Sequence, residues 1–397
     1  MASRVSFNEI STRILDRIFT NYSKLENIQT QLATGKKLDK ASDNPVGAAQ
    51  SMELRSEIDQ FKSFQRNVDD GLAYLGTVDS TLRTSTDIYQ NMRERAIQAS
   101  NDTNSGESRY YIGQEVRGMF DQMVALSNTS FKGEYIFSGN NTQVPPFEIR
   151  NGSSHIVNAP AVPSGDMALT GALIGTPIRI IDKNVDDSKD MATSDANAYQ
   201  LIPGTVKVNG FTEGTDYTVD YVGGTITFLA PGAAALAATG AGPGIDMTYD
   251  WLRRNEKDLD GIANREIEEG VGARINTTAS EIYGTNQEKN AWAAMIKLME
   301  GTINNKPDKV RESISEIDVA MKRQLSAQST NGSRVIRFDS TQLRNDERIV
   351  YTNELQSNVE DVDFAQAITE FNTQQAVYDA SLKIGARAMQ NTLVNFL

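Results

Sequence analysis

The chain has 397 residues, which is enough for two or three domains that each bury their own core. Its 39 Lys and Arg against 52 Asp and Glu give a formal net charge of -13, which argues against a nucleic-acid partner because phosphate contacts need clustered basic side chains. The absence of cysteine excludes disulfides and thiolate metal sites, and no apolar run approaches the roughly 20 residues of a membrane span.

The first 19 residues lack the apolar core of a secretory signal peptide, so we expect any export to bypass the general secretory route. An amphipathic helix is predicted over residues 7–32, where apolar residues recur at gaps of three and four. Phe7, Tyr22 and Ile28 share this period with the residues that we call the N-terminal seam. The N-terminal seam consists of Ile10, Ile14, Ile18, Leu25 and Leu32.

A polar stretch, LATGKKLDKASDNPVGAAQ over residues 32–50, interrupts this pattern. Gly35 can adopt the left-handed conformation that ends a helix. Asp43 or Asn44 as N-cap, with Pro45 in the first helical position, predicts the start of the next helix. We therefore interpret the stretch as a connection between two helices and take these four residues as an interdomain joint.

The next helix is predicted to be much longer than an ordinary globular helix, since its apolar seam runs from Phe61 to Ala99. Such length favours a coiled-coil or bundle rod. A break at residues 101–108 precedes a shorter helix that ends near Leu126.

From about Tyr135 to Tyr283 the chain holds most of its Pro and Gly, and short β-type runs replace the helical period. Residues 217–228, YTVDYVGGTITF, predict a β-hairpin around Gly223 and Gly224. Residues 232–244 are a low-complexity loop that is too short and too rich in Gly to cross a membrane.

Helical periodicity returns near Trp292, restarts after Pro307 and continues to Leu397. We call the apolar stripe of the last segment the C-terminal seam. It consists of Phe364, Ile368, Phe371, Tyr378, Leu382, Leu393 and Phe396. Because chain ends usually fray, a seam that reaches the last residue predicts that this end docks on a partner helix.

The charges favour pairing of the two ends. Residues 1–45 carry seven basic and five acidic side chains, and residues 357–397 carry two basic and five acidic ones. Exposed ion pairs contribute only a few tenths of a kcal/mol each, so the apolar seams must supply most of the driving force.

We therefore predict a mainly α fold with a β-rich insert. Long antiparallel helices from both termini would form a coiled-coil or bundle rod, and the middle of the chain would form an outer β domain. The predicted domains are residues 1–42 with 357–397, residues 43–145 with 281–356, and residues 146–280. The seams could also be the interior of a self-contained bundle, but their narrowness and their location at opposite chain ends favour packing between subunits.

The sequence predicts no catalytic, cofactor or metal site. His155, the single histidine, lies in a segment rich in Gly and Ser and is more typical of a surface strand. HExxH, GxSxG and phosphate-binding glycine motifs do not occur. Glu256, Asp258 and Asp260 have the spacing of a calcium loop, but Ile267 stands where the bidentate Glu should be, which favours an acidic linker.

Two distant segments resemble a known family, the bacterial flagellins and their junction relatives. Residues 32–49, LATGKKLDKASDNPVGAA, are similar to the family's connection between the two innermost domains. Residues 361–397, DVDFAQAITEFNTQQAVYDASLKIGARAMQNTLVNFL, resemble its C-terminal helix over the full length. Asn44 departs from the family pattern, which usually has a second Asp there.

Residues 131–149, FKGEYIFSGNNTQVPPFEI, resemble the hook–filament junction members in particular, and residues 263–284 resemble the segment that leads back into the helical core. The resemblance implies a non-enzymatic axial subunit without cofactors, exported unfolded through the flagellar type III channel. Its implied partners are copies of itself in a ring, the neighbouring junction protein, flagellin and an export chaperone. The alternatives are a filament flagellin, or a secreted adhesin or enzyme whose activity resides in residues 146–280.

Overall fold

The computed structural model describes residues 7–38, 40, 44–157, 167–168, 177–180, 200–230, 245–254, 260–285 and 290–393. The chain divides into two compact units. The terminal unit contains Met1–Arg66 and Thr341–Leu397, and the central unit contains Asn67–Ser340.

Long helices dominate both units, as the periodicity predicts. The joint begins where expected, since the first helix ends at Thr34 and the second starts at Pro45. The helices of the described residues are α1 (Phe7–Thr34), α2 (Pro45–Ser100), α3 (Gly106–Ser127), α4 (Ala279–Tyr283), α5 (Ala291–Ile303), α6 (Pro307–Glu360) and α7 (Phe364–Leu393).

The β structure lies in the middle of the chain and is made of short strands. The described strands are β1 (Ser130–Phe131), β2 (Glu134–Tyr135), β3 (Phe147–Val157), β4 (Met167–Ala168), β5 (Ile178–Arg179), β6 (Gln200–Leu201), β7 (Lys207–Val208), β8 (Tyr217–Asp220), β9 (Thr225–Phe228), β10 (Ile245–Arg254), β11 (Asn264–Glu268) and β12 (Val271–Arg274). The fold class of a mainly α chain with a β-rich insert is thus confirmed, whereas the three-part domain division stays a prediction.

The largest sheet has the order β4-β3-β10-β6, with β7 also paired to β10. Strands β3 and β10 are antiparallel through ten residue pairs, and β4 runs parallel to β3. The predicted hairpin is confirmed as β8 and β9, in which Tyr217 pairs with Phe228. Its turn contains Gly224 at φ 66° and is closed by Asp220, whose carboxylate accepts the backbone N–H of Gly223 at 3.0 Å. The predicted loop over residues 232–244 lies outside the described residues.

An aromatic cluster joins the helices to the sheet inside the central unit. Trp292 of α5 stacks on Tyr283 with ring centroids 4.8 Å apart, and Phe147 of β3 lies 4.8 Å from Trp292 and 5.2 Å from Tyr283. Phe120 of α3 meets Trp292 edge-on at 5.6 Å. Each ring is almost fully buried, so these four side chains contribute a large apolar area to one core.

Helices α2 and α6 make close contact in the central unit, where Gly71 faces the fully buried ring of Phe338. A Cβ atom added at Gly71 would lie 2.9 Å from Cδ1 of Phe338 and still closer to Cε1. At Gly76 of the same helix, an added Cβ would meet no atom within 4 Å.

Gly71→Ala should therefore lower the free energy of unfolding of the central unit by about 1–3 kcal/mol, because the ring cannot retreat from a packed core. The matched control, Gly76→Ala, should raise it by up to about 1 kcal/mol through helix propensity. Both tryptophans, Trp251 and Trp292, lie in the central unit, so tryptophan fluorescence during urea unfolding measures this unit alone. Equal effects of the two substitutions would contradict the tight contact.

Candidate assembly surface

Helices α1 and α7 form an antiparallel pair in the terminal unit. The side-chain amide of Asn21 donates to the Ser381 hydroxyl at 2.8 Å, and that of Gln374 donates to the backbone oxygen of Asn21 at 3.2 Å. The rings of Tyr22 and Tyr378 have centroids 5.8 Å apart. The predicted pairing of the two chain ends is thus present within a single chain.

The described part of the N-terminal seam is half-buried. Ile14 and Ile18 lie beside Gly385 of α7, where the missing side chain allows the helices to approach closely. Leu25 and Leu32 follow Ile18 at intervals of seven residues, which keeps them on the same stripe. Ile10 lies in α1, but its side chain is outside the described part of the structure.

The C-terminal seam divides between two surfaces of α7. Phe371 and Tyr378 are half-buried. By contrast, Phe364, Ile368 and Leu382 are 54%, 50% and 42% exposed. Leu393 is the last residue of α7, with its side chain outside the described part, and Phe396 lies outside the described residues.

A second apolar stripe extends along α1 next to the N-terminal seam. It is exposed at Leu15, Phe19 and Tyr22, which retain 40%, 68% and 52% of their accessible surface. Helical geometry and the antiparallel direction place this stripe on the same side of the pair as the exposed residues of α7. We call the combined surface the apolar flank. It consists of Leu15, Phe19, Tyr22, Phe364, Ile368 and Leu382.

The joint has the predicted caps. Gly35 ends α1 with φ 72°, and its N–H donates to the backbone oxygen of Gln31 at 2.8 Å. The side-chain oxygen of Asn44 accepts the N–H of Gly47 at 3.0 Å, so Asn44 is the N-cap of α2 and Pro45 its first residue. Asp43 lies outside the described residues.

A second break, a few residues after the domain boundary predicted at 356–357, lies beside this joint. Helix α6 ends at Glu360 and α7 begins at Phe364. Between them, Asp361 forms an isolated antiparallel β-bridge with Lys36. The N–H of Lys37 donates to the backbone oxygen of Glu360 at 2.6 Å, and a second backbone bond of 3.0 Å joins the N–H of Val362 to the oxygen of Gly35. The two helix connections are therefore fastened to each other.

Glu360 is the charged centre of this double joint. Its carboxylate accepts hydrogen bonds from Lys36 at 3.0 Å, from Arg55 at 2.7 Å, from Gln356 at 3.1 Å and from the Ser51 hydroxyl. Burial alone would raise the pKa of Glu360, but these hydrogen bonds outweigh it and lower the pKa to about 2. The sequence hint was the basic pair at 36–37 opposite the acidic pair at 360–361.

Glu360→Gln should destabilise the terminal unit in a pH-dependent manner. Because the folded pKa is depressed, the stabilisation from the charged carboxylate is complete above the ordinary Glu value of about 4.3 and is lost as pH falls towards 2. Hydrogen bonds to charged groups contribute about 1.5–3 kcal/mol. Wild type and variant should therefore differ at pH 6 and converge near pH 2.

The free energy of unfolding is measured in urea with two signals. Circular dichroism monitors both units, and tryptophan fluorescence monitors only the central unit. Glu354→Gln, an exposed residue on the same helix, is the matched control. A difference between wild type and Glu360→Gln that is independent of pH would show that the charge of Glu360 does not hold the joint.

Within the described residues, no group of three or more His, Asp or Glu side chains could hold a metal ion. None of the described helices is long and apolar enough to cross a membrane. His155 lies in β3, Ile267 is buried in β11, and Glu256 and Asp258 lie outside the described residues.

Family models match both ends of the chain. The model of the bacterial flagellin N-terminal helical region matches residues 5–142, and that of the bacterial flagellin C-terminal helical region matches residues 314–397. Together they span 222 of the 397 residues, and they include α1, α7 and both halves of the double joint.

Similar proteins include both junction proteins and filament proteins. Flagellar hook-associated protein 3 of Escherichia coli is 27% identical over 181 residues, which are 44% of this chain and 57% of that protein. The matched region thus spans little more than half of this relative. A flagellin of Clostridium tyrobutyricum is 22% identical over 393 residues, covering 98% of this chain and 99% of the relative.

A solved structure has a similar fold. It is a Vibrio parahaemolyticus protein assigned as flagellar hook-associated, with a TM-score of 0.51 at 14% sequence identity. The match covers 80% of this chain and all of the other.

Proposed function

Because this chain belongs to the bacterial flagellin family, we propose that it is a structural subunit of the flagellar axis that acts at the junction between hook and filament. It assembles through its terminal helices and carries out no catalysis. The apolar flank carries this proposal. A helix pair that leaves six large apolar side chains exposed on one side has a surface suited to burial against other subunits.

The seams and the flank have different roles in this proposal. The N-terminal seam, with Phe371 and Tyr378, holds α1 against α7 within one subunit. The apolar flank then contacts neighbouring copies. Two helices gain little from pairing alone, so burial of the flank during assembly would supply much of the stability of the terminal unit.

The junction role is favoured over the filament role by two observations. One is the match to hook-associated protein 3 of Escherichia coli. The other is the segment 131–149, which resembles the junction members. In the structure this segment contains Phe147. Its backbone N–H donates to the side-chain oxygen of Asn128, and its backbone oxygen accepts the side-chain N–H of the same residue. Its ring packs on Trp292. The segment therefore connects α3, β3 and α5.

The proposed partners follow from a location in the axis. They are copies of this chain in a ring, the neighbouring junction protein on one side and flagellin on the other, with an export chaperone before assembly. The subunit would reach its location through the flagellar export channel. The division into an inner domain of residues 1–42 with 357–397, a rod domain and an outer β domain of residues 146–280 is part of this proposal.

Leu382→Asp should reduce incorporation into the hook end at least tenfold, because a charge on a surface that becomes buried costs several kcal/mol. The matched control is Ala380→Asp, which adds the same charge at an exposed position on another side of α7. Incorporation is measured by quantifying each variant on purified hook–filament structures.

Phe371→Asp should also abolish incorporation, through a different step. Phe371 is half-buried in α7, so its replacement should first loosen the pairing of α1 and α7. Unchanged tryptophan fluorescence would show that the central unit still folds. Normal incorporation of both Leu382→Asp and Phe371→Asp would overturn the role of the terminal helices.

The junction role is tested by adding the purified protein to isolated hooks, with and without the neighbouring junction protein, and imaging them by electron microscopy. A short collar that stops growing is the expected result, because a junction subunit forms a limited ring. Long filaments would instead assign the chain as a flagellin. Bare hooks under both conditions would contradict an axial role.

A further inference from the structure

One stretch of α2 in the central unit has an unusual density of side-chain hydrogen bonds to its own backbone oxygens. Five hydroxyl groups within ten residues donate to the carbonyl four positions earlier, at distances of 2.9–3.1 Å. The donors and acceptors are Thr77 to Ala73, Thr81 to Thr77, Thr84 to Ser80, Ser85 to Thr81 and Thr86 to Leu82.

Two amides of α6 reach the same stretch from the side. The amide of Asn331 donates to the backbone oxygen of Leu75 at 3.1 Å, and that of Gln324 donates to Leu82 at 3.1 Å. Both side chains are fully buried. The two donors and the two acceptors are each seven residues apart, so the antiparallel helices bring consecutive heptads together.

Six backbone oxygens between Ala73 and Leu82 therefore accept an additional donor from a side chain. Each additional donor competes with the helical N–H for the same oxygen, which weakens the helix locally and favours bending. Further along α2, the backbone oxygens of Ile88–Ala96 accept no side-chain donor from the part of the chain that the structure describes. The oxygens of Ile97, Gln98 and Ala99 also accept side-chain donors, but they lie in the last turn of α2, beyond the regular i+4 hydrogen bonds of the helix.

The same contacts leave polar atoms unsatisfied. Among the described residues, the amide oxygens of Gln324 and Asn331 are buried and accept no hydrogen bond. A buried acceptor without a donor raises the free energy of the state in which α2 packs against α6. In a locally opened state, water can reach the acceptor and donate to it.

We propose that Ala73–Thr86 is a compliant segment of α2, which opens and bends more readily than the helix on its C-terminal side. The side-chain amides of Gln324 and Asn331, which extend from α6, weaken this segment because they donate to its backbone oxygens. The inference goes beyond the proposed function and does not depend on it, because it would hold equally for a junction subunit and for a filament subunit.

Hydrogen exchange of the full-length wild-type chain tests the proposal directly. Amides of residues 77–86 should exchange at least tenfold faster than those of residues 90–99, although both stretches lie in one helix and alternate buried with exposed residues. Equal protection of the two stretches would overturn the proposal, and no variant is needed for this comparison.

A triple variant tests the cause. Thr81→Val, Ser85→Ala and Thr86→Val together remove three buried hydroxyl donors with little change of volume, and should slow exchange in residues 77–86 at least tenfold. Thr330→Val is the matched control, because Thr330 makes one isolated bond of this kind to Ser326 on α6. Unchanged exchange in the triple variant, with native tryptophan fluorescence, would show that the hydroxyls do not weaken the segment.

The contribution of the two amides is tested separately with a double variant that carries Gln324→Leu and Asn331→Leu. Removal of the additional donors at Leu75 and Leu82 should slow exchange in the same stretch, and fluorescence should confirm a folded central unit. Faster exchange in a folded variant would mean that the two amides support α2 instead of weakening it. If this variant does not fold, the wild-type comparison and the triple variant still decide the proposal.

Discussion

The terminal unit depends on one constraint, namely that the two ends of the chain must meet. The half-buried stripe of α1 packs on α7, and the break between α1 and α2 is bonded to the break between α6 and α7. The oxygen of Gly35 and the N–H of Lys37 are paired only because Glu360 and Val362 lie opposite them. Glu360 adds charge-assisted bonds from the α6 end to Lys36 in the first connection and to Ser51 and Arg55 of α2.

The central unit is stabilised in a different manner. Its buried residues form two clusters, and in the larger one the rings of Phe120, Phe147 and Tyr283 each lie within 6 Å of Trp292. Large buried rings give this unit a stability of its own, whereas the terminal unit leaves much of its apolar surface exposed. The stability of the central unit therefore depends less on further contacts than that of the terminal unit does.

Local signals in the sequence were sufficient for the long helices, for one hairpin and for the joint between α1 and α2. The heptad spacing of Ile18, Leu25 and Leu32 predicted the stripe that faces α7, and Gly35 with Pro45 predicted where one helix ends and the next begins. The Gly pair at 223–224 predicted the hairpin. These features depend on residues a few positions apart, which is why they are readable from the chain alone.

The seams and charges predicted that the two chain ends pair, but they did not predict the individual contacts between distant residues. Tyr378 and Leu382 are four residues apart in one seam, yet the first is half-buried and the second is exposed, because the covering helix lies to one side. The role of Glu360 depends on partners more than 300 residues away. The roles of Gln324 and Asn331 likewise depend on Leu82 and Leu75, which lie more than 240 residues earlier in the chain.

The separation of the joined residues also sets an order of events in folding. Glu360 bonds to Arg55 across 305 positions, and Asn21 bonds to Ser381 across 360 positions. Contacts of such long range require the closure of very large loops, so they form slowly and after local structure. A ribosome must have released almost the whole chain before α1 can find its partner. Until then α1 remains an amphipathic helix whose apolar stripe has no partner within the chain.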